Sequence, residues 1–127
     1  TTPTIGVYSS GTTTSNAHNN SNNIISNCNI FNYYNSTSTA NGGMGISLSS
    51  GSTDWNITGN SFYQTAARAT FGSGANTNAI SISNSSGNNF LISGNYIGGS
   101  APLCGGSAYT IGGSAVSIIF RAMTFSL

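Results

Sequence analysis

Apolar and polar residues alternate with a period of two in short runs along this chain, and the runs recur. Residues 45–62 read GISLSSGSTDWNITGNSF. Ile46 and Leu48 alternate with Ser47 and Ser49, and Ser50-Gly51-Ser52 interrupts the run. Trp55 and Ile57 then alternate with Asn56 and Thr58, and Gly59-Asn60 turns again before Phe62. Alternation bounded by Gly, Asn and Ser predicts strand, turn, strand. Residues 79–97, AISISNSSGNNFLISGNYI, carry the same device with one residue added.

The second half of the device occurs three times: Ile25-Ser26-Asn27-Cys28-Asn29-Ile30, Ile57-Thr58-Gly59-Asn60-Ser61-Phe62 and Ile92-Ser93-Gly94-Asn95-Tyr96-Ile97. The spacings from Ile25 to Ile57 to Ile92 are 32 and 35 residues. The first half repeats as Ile46-Ser47-Leu48 and Ile80-Ser81-Ile82. Weaker copies are Gly6-Val7-Tyr8 and either Val116-Ser117-Ile118 or Met123-Thr124-Phe125. A period of about 20–50 residues marks a repeat architecture. Gly, Asn, Ser and Thr punctuate every few residues, so helical repeats are excluded. The expected fold is all-β: a right-handed parallel β-helix of about three to four coils, with residues 1–127 as one segment of a longer repeat protein.

In that fold like stacks on like, at roughly 4.8 Å. Ile25, Ile57 and Ile92 form one expected inward column, Ile30, Phe62 and Ile97 a second, and Ile46 and Ile80 a third. Leu48, Trp55, Ile82 and Phe90 complete the expected core. Cys28, Asn60 and Asn95 share a corner where stacked amides can bond along the axis. Residues 35–43, 66–78 and 98–113 are read as loops at one point of each repeat, projecting from one edge. The expected strands at the ends are residues 5–8 and a strand-like segment within 114–127; residues 11–21 form a polar turn region carrying His18.

Composition then restricts the chemistry. Asp54, Arg68 and Arg121 are the only charged side chains, since the chain has one acidic and two basic residues. Such a chain has no basic footprint for nucleic acid and no polybasic membrane patch. Ser, Thr, Asn and Gly supply 73 of 127 residues, a composition that elsewhere means disorder; the phased apolar columns argue against it. Glycoside hydrolysis uses two carboxyl groups, and this chain has one. Calcium would find one carboxylate. Zinc would have to use His18, Cys28 and Cys104, which lack ligand spacing. No G-x-S-x-G elbow is paired with a His and an acid. No catalysis, cofactor or metal is expected. Asp54 is read as stabilising the turn before Trp55 through backbone bonds. Cys28 is read as a small buried hydrophobe, with a disulfide to Cys104 requiring the Cys104 loop to fold back. Asn19, Asn35, Asn56 and Asn84 match the N-glycosylation acceptor pattern, as chance provides in so Asn-rich a chain.

The phrases GISLSSGSTDWNITGNSFYQTA and FLISGNYIGGSAPLCGG resemble repeats of very large adhesin-like surface proteins of Bacteroidetes, which have right-handed parallel β-helix regions and leave the cell by the type IX secretion route. The resemblance covers about residues 21–107. It implies an extracellular, cell-surface location and a structural or adhesive role, with flanking repeats, the export machinery or other surface proteins as partners. Residues 118–127 depart from a smooth continuation of the pattern.

Three functions fit these residues. The first is a non-catalytic rod and display surface within a surface adhesin. The second is a carbohydrate-binding face, for which Tyr33, Tyr34, Tyr63 and Tyr109, read as exposed near the loop edge with Arg68, are the candidate ligand surface. The third is ice binding, for which the aligned Ser47 and Ser81 speak, but Thr-x-Thr ladders are missing.

Overall fold

In the computed structural model, residues 3–12, 14, 18–35, 41–69, 76–112 and 119–126 are described. They form short strands at the positions where the alternation recurs. The first repeat supplies β1 (Ile5–Ser9), β2 (Asn20–Ser26) and β3 (Asn29–Phe31). The second supplies β4 (Asn41–Leu48), β5 (Ser52–Thr58), β6 (Ser61–Tyr63) and β7 (Arg68–Ala69). The third supplies β8 (Asn76–Ser83), β9 (Leu91–Ser93), β10 (Tyr96–Ile97) and β11 (Ile111–Gly112), and β12 (Ile119–Ser126) follows.

Each sheet takes its strands from equivalent places in successive repeats. The orders are β1-β4-β8-β12, β2-β5-β9, β3-β6-β10 and β7-β11, and every strand ladder is parallel. Parallel neighbours need a long crossover between them, and here the rest of one repeat is that crossover. The protein is thus all-β with parallel sheets.

The register places like on like. Ile25 lies opposite Ile57, and Ile57 opposite Ile92. Ile30 and Ile97 flank Phe62. Val7, Ile46, Ile80 and Met123 make a third column, and Ser9, Leu48, Ile82 and Phe125 a fourth. Of the two weak C-terminal copies, Met123-Thr124-Phe125 is thereby the one in register; Val116-Ser117-Ile118 lies outside the described residues.

Burial falls off from the middle of each column to its ends. Ile46, Ile57, Ile80 and Ile82 are fully buried, while Met123 and Phe125 are 46% and 47% exposed. Ile92, Ile97 and Phe90, expected in the core, are partly buried and pack against it, because β9 and β10 are edge strands that the second repeat covers on one side only. Gly45 makes close stacking possible: a Cβ there would meet the Ala79 carbonyl oxygen and the Phe62 ring.

The corners run along the axis too. Asn60 is fully buried, and its Oδ1 accepts from the Cys28 N–H at 2.9 Å while its Nδ2 donates to the Ile25 carbonyl at 2.9 Å. Asn95 repeats this one level on, accepting from the Asn60 N–H at 2.9 Å and donating to the Ile57 carbonyl at 2.8 Å. The turn before each of these residues is left-handed, at Asn27 (φ 53°), Gly59 (φ 66°) and Gly94 (φ 63°). Gly and Asn tolerate that region best, which is why they alternate there.

Four expectations need correction. Cys28 is exposed, not a buried hydrophobe, because the corner uses its backbone N–H while its Sγ turns out to the Ser26 carbonyl at 3.2 Å; Cys28 and Cys104 are both free thiols. Asp54 is not in the turn before Trp55: it lies within β5 with φ 55°, and its Oδ1 accepts from the Asn89 side chain at 2.8 Å. The loops are shorter than the composition suggests, since residues 41–43, 68–69, 76–78 and 111–112 pair as strand. Of the expected loops, residues 36–40, 70–75 and 113 lie outside the described residues, as do residues 114–118 of the expected strand-like segment. Asn20 and Ser21, placed in the polar turn region, open β2.

Ile57 and Ile24 test the inward and outward faces. Ile57 is fully buried and Ile24 is 68% exposed. Ile57→Ala is expected to cost about 2–5 kcal/mol in urea unfolding, and Ile57→Asp to abolish the cooperative transition by burying an unpaired charge. Ile24→Asp is expected to stay within about 0.5 kcal/mol of the parent. A soluble, cooperatively melting Ile57→Asp protein refutes the register.

Candidate functional site

Four of the five residues read as a ligand surface, Tyr33, Tyr34, Arg68 and Tyr109, meet at one edge, beside β3, β6 and β7. One of those four, Tyr33, is buried, and so is the fifth, Tyr63. Tyr33 is 1% exposed and Tyr63 is 7% exposed. Tyr63 stacks flat on Phe31, its register partner, with centroids 5.0 Å apart. Tyr33 follows the left-handed Asn32 (φ 56°), belongs to the core cluster and offers its carbonyl to Gln64 Nε2 at 2.9 Å. The expectation that both are exposed fails because a tyrosine ring beside a stacked column gains more from burial than from solvent. Tyr34, Arg68 and Tyr109 are half-buried.

Arg68 is the centre of this edge. Its Nε donates to Gln64 Oε1 at 3.1 Å and its Nη2 to Asn32 Oδ1 at 2.8 Å. Its guanidinium carbon sits 5.7 Å from the Tyr34 ring centroid, a cation–π distance. Asn32 Oδ1 also accepts from the Thr65 N–H at 3.1 Å. Thus one carboxamide from the first repeat and one from the second orient the guanidinium. Asn32 and Gln64 were not singled out from the sequence. The available signal was their place directly after the aligned Phe31 and Tyr63, where a corner column must continue.

Tyr109 completes the edge and packs its ring against Phe120 at 5.1 Å between centroids. Burial pushes its phenol up to about 12, while a side-chain hydrogen bond with Gln64 and the charge of Arg68 pull it back. Burial, with a smaller contribution from Tyr109, holds the Tyr33 phenol well above the ordinary tyrosine range. Beside these groups lies a cleft of about 140 Å³ whose lining includes Thr65, Ser100, Ser107 and Thr110. Arg68 is not itself a lining residue; it adjoins the cleft through Gln64, which lines it and accepts from the Arg68 Nε, and through its backbone N–H, which donates to the Thr110 carbonyl at 3.3 Å.

A second polar surface surrounds Asp54. A depression of about 280 Å³ is lined by Asn22, Ile24, Asp54, Asn56 and Asn89. Asn22, Asp54 and Asn89 are all left-handed, at φ 58°, 55° and 55°, and form a column that sequence reading missed, with Asn22 and Asp54 inside β2 and β5. Among the described residues no group of His, Cys, Asp and Glu is placed to hold a metal. The hydroxyl row expected from Ser47 and Ser81 is continued by Thr124 but begins with Tyr8, which is 61% exposed and breaks its uniformity. No helix of the described residues is long and apolar enough to cross a membrane.

Comparison with known proteins found no matching family, no matching curated protein and no matching solved structure.

Tyr33 and Tyr109 make an alkaline prediction. Both phenols bind their protons more tightly folded than unfolded. Their contribution to stability is therefore complete below the unfolded value of about 10 and is lost as pH rises, for Tyr109 through about 12. Spectrophotometric titration of the folded protein is expected to show Tyr33 and Tyr109 ionising above the ordinary tyrosine value of about 10. Tyr109→Phe is expected to remove one late-titrating phenol, and six phenols titrating together near 10 contradict the placement.

Proposed function

We propose that this chain is a non-catalytic segment of an extracellular surface adhesin, a structural rod that displays its loop edge. The observation that carries the reading is the register: equivalent residues of successive repeats are paired in three separate sheets. A chain built this way lengthens by one layer per repeat, which suits reach from a cell surface. The same order supports a right-handed parallel β-helix of three to four coils, since parallel crossovers are right-handed in roughly 98% of cases. The resemblance of residues 45–66 and 90–106 to Bacteroidetes surface repeats supports export by the type IX route. A single carboxylate in the whole sequence supports the non-enzyme reading, because hydrolysis of glycans uses a pair.

Partners follow from the exposed column ends. Met123 and Phe125 continue columns whose inner members are at most 1% exposed. A flanking repeat laid along β12 would bury them. The export machinery or another surface protein is the second class of partner.

A second reading, a carbohydrate-binding module, is favoured by the convergence of Tyr34, Arg68 and Tyr109 beside a hydroxyl-bearing cleft. Surface glycans are its ligands.

Two measurements test the main reading. Protease shaving of intact cells of the source organism is expected to release peptides of this chain; their protection until lysis refutes surface exposure. The purified chain is expected to release no reducing ends from a panel of polysaccharides, and turnover of any one of them overturns the non-enzyme claim.

A further inference from the structure

The geometry points to Arg68 as the anchor for a carboxylate-bearing sugar, a uronic acid at the end of a glycan chain. This inference rests on the carbohydrate-binding reading of the same edge and names its ligand class.

The argument begins with the charge inventory. The chain has one acidic side chain. That group, Asp54, lies in β5 and accepts from Asn89. The acceptors on Arg68 are two neutral carboxamides. A half-buried guanidinium is therefore held in place without a carboxylate side chain to offset it. Guanidinium groups bind carboxylates through paired, parallel N–H donors. Among the described residues, Arg68 spends two of its five donors, Nε on Gln64 and one Nη2 hydrogen on Asn32. That leaves the Nη1 and Nη2 end of the fork for a planar anion.

The surroundings select a sugar. The Tyr34 ring lies under the guanidinium, with its centroid 5.7 Å from the guanidinium carbon, and is amphipathic. The hydroxyls of Ser107 and Thr110 can donate to and accept from sugar hydroxyls, and that of Ser100, which accepts from the Ser107 N–H, can donate; the Thr65 hydroxyl is engaged with the Asn32 carboxamide. The cleft holds about 140 Å³, below the roughly 300–1,000 Å³ of sites that enclose a drug-sized ligand, so it fits the tip of a chain. A single cation favours a monoanion over a phosphate dianion. Preorganisation lowers the cost of binding, because Arg68 is already oriented by both bonds and the ring.

Calorimetric titration of the 127-residue protein with a galacturonate trisaccharide, its fully methyl-esterified form and a sulfated oligosaccharide of equal length tests this. The acid is expected to bind at least about tenfold more tightly than the ester, in line with the worth of one charged hydrogen-bonded pair. Arg68→Gln is expected to erase that preference. Equal binding of acid and ester overturns the carboxylate assignment and leaves the glycan reading standing. Tighter binding of the sulfated ligand overturns the assignment also. Binding of none of the three overturns both. Because Arg68→Gln also removes bonds to Asn32 and Gln64, a second variant is needed. Ala66 is exposed and lines the cleft, so Ala66→Glu places a carboxylate there with those bonds intact. It is expected to weaken the acid at least about tenfold with an unchanged melting temperature. Retained acid binding by Ala66→Glu overturns the proposal.

Discussion

Each interior residue at the centre of this protein is packed by its own counterparts from neighbouring repeats. Parallel strands from successive repeats lie about 4.8 Å apart, so the side chain that fills a position also forms the floor and ceiling for its equivalents. Ile57 sits between Ile25 and Ile92, and Phe62 between Ile30 and Ile97. The innermost columns vary in shape and keep their polarity: Val7, Ile46, Ile80 and Met123 are all apolar, as are Ile30, Phe62 and Ile97. Outward-facing columns are freer, and Ile24, Asn56 and Leu91 share one.

The same constraint accounts for the near-absence of charge. A charge at a repeating position would face its like on both sides at strand spacing. Two unit charges at 4 Å repel by roughly 4 kcal/mol near a protein surface. Carboxamides at that spacing attract instead, because each offers both donor and acceptor. The Asn60 and Asn95 ladder shows the gain, since each carboxamide both accepts from and donates to the backbone of the preceding repeat. The one carboxylate obeys the rule as well: Asp54 shares its left-handed column with Asn22 and Asn89, not with another acid.

The parts of the fold that depend on this stacking were legible in the sequence, because alternation and period are properties of the sequence itself. The register of Ile25, Ile57 and Ile92 follows from aligning the repeats. Exposure at the corners does not. Cys28 occupies the aligned slot of a fully buried asparagine and is nonetheless exposed, since the ladder needs only its N–H. Tyr33 and Tyr63 look like edge residues by their distance from the apolar alternation, but Asn32 bends the chain and Phe31 provides a flat partner, and both rings are covered. Asn32 was hard to see as a site residue because asparagines are so common here that none stands out, and Gln64, the one glutamine of the sequence, carries no charge to draw attention. Their shared place after Phe31 and Tyr63 was the sequence signal, and their distances to Arg68 give it meaning.

Arg68 is the point where the two constraints meet. Stacking discourages a repeated charge, and its register partner in β11 is Ile111. Its orientation comes from a carboxamide of the preceding repeat and a ring, so the fold holds a cation rigidly without neutralising it. A structural arginine is ordinarily paired with an acid when it is drawn in from solvent, because desolvation is otherwise uncompensated. Here the sequence keeps one acid and places it in another column. An edge that fixes a guanidinium, leaves its charge unmatched and surrounds it with hydroxyls and aromatic rings has the chemistry to recognise an anion that also carries hydroxyl groups.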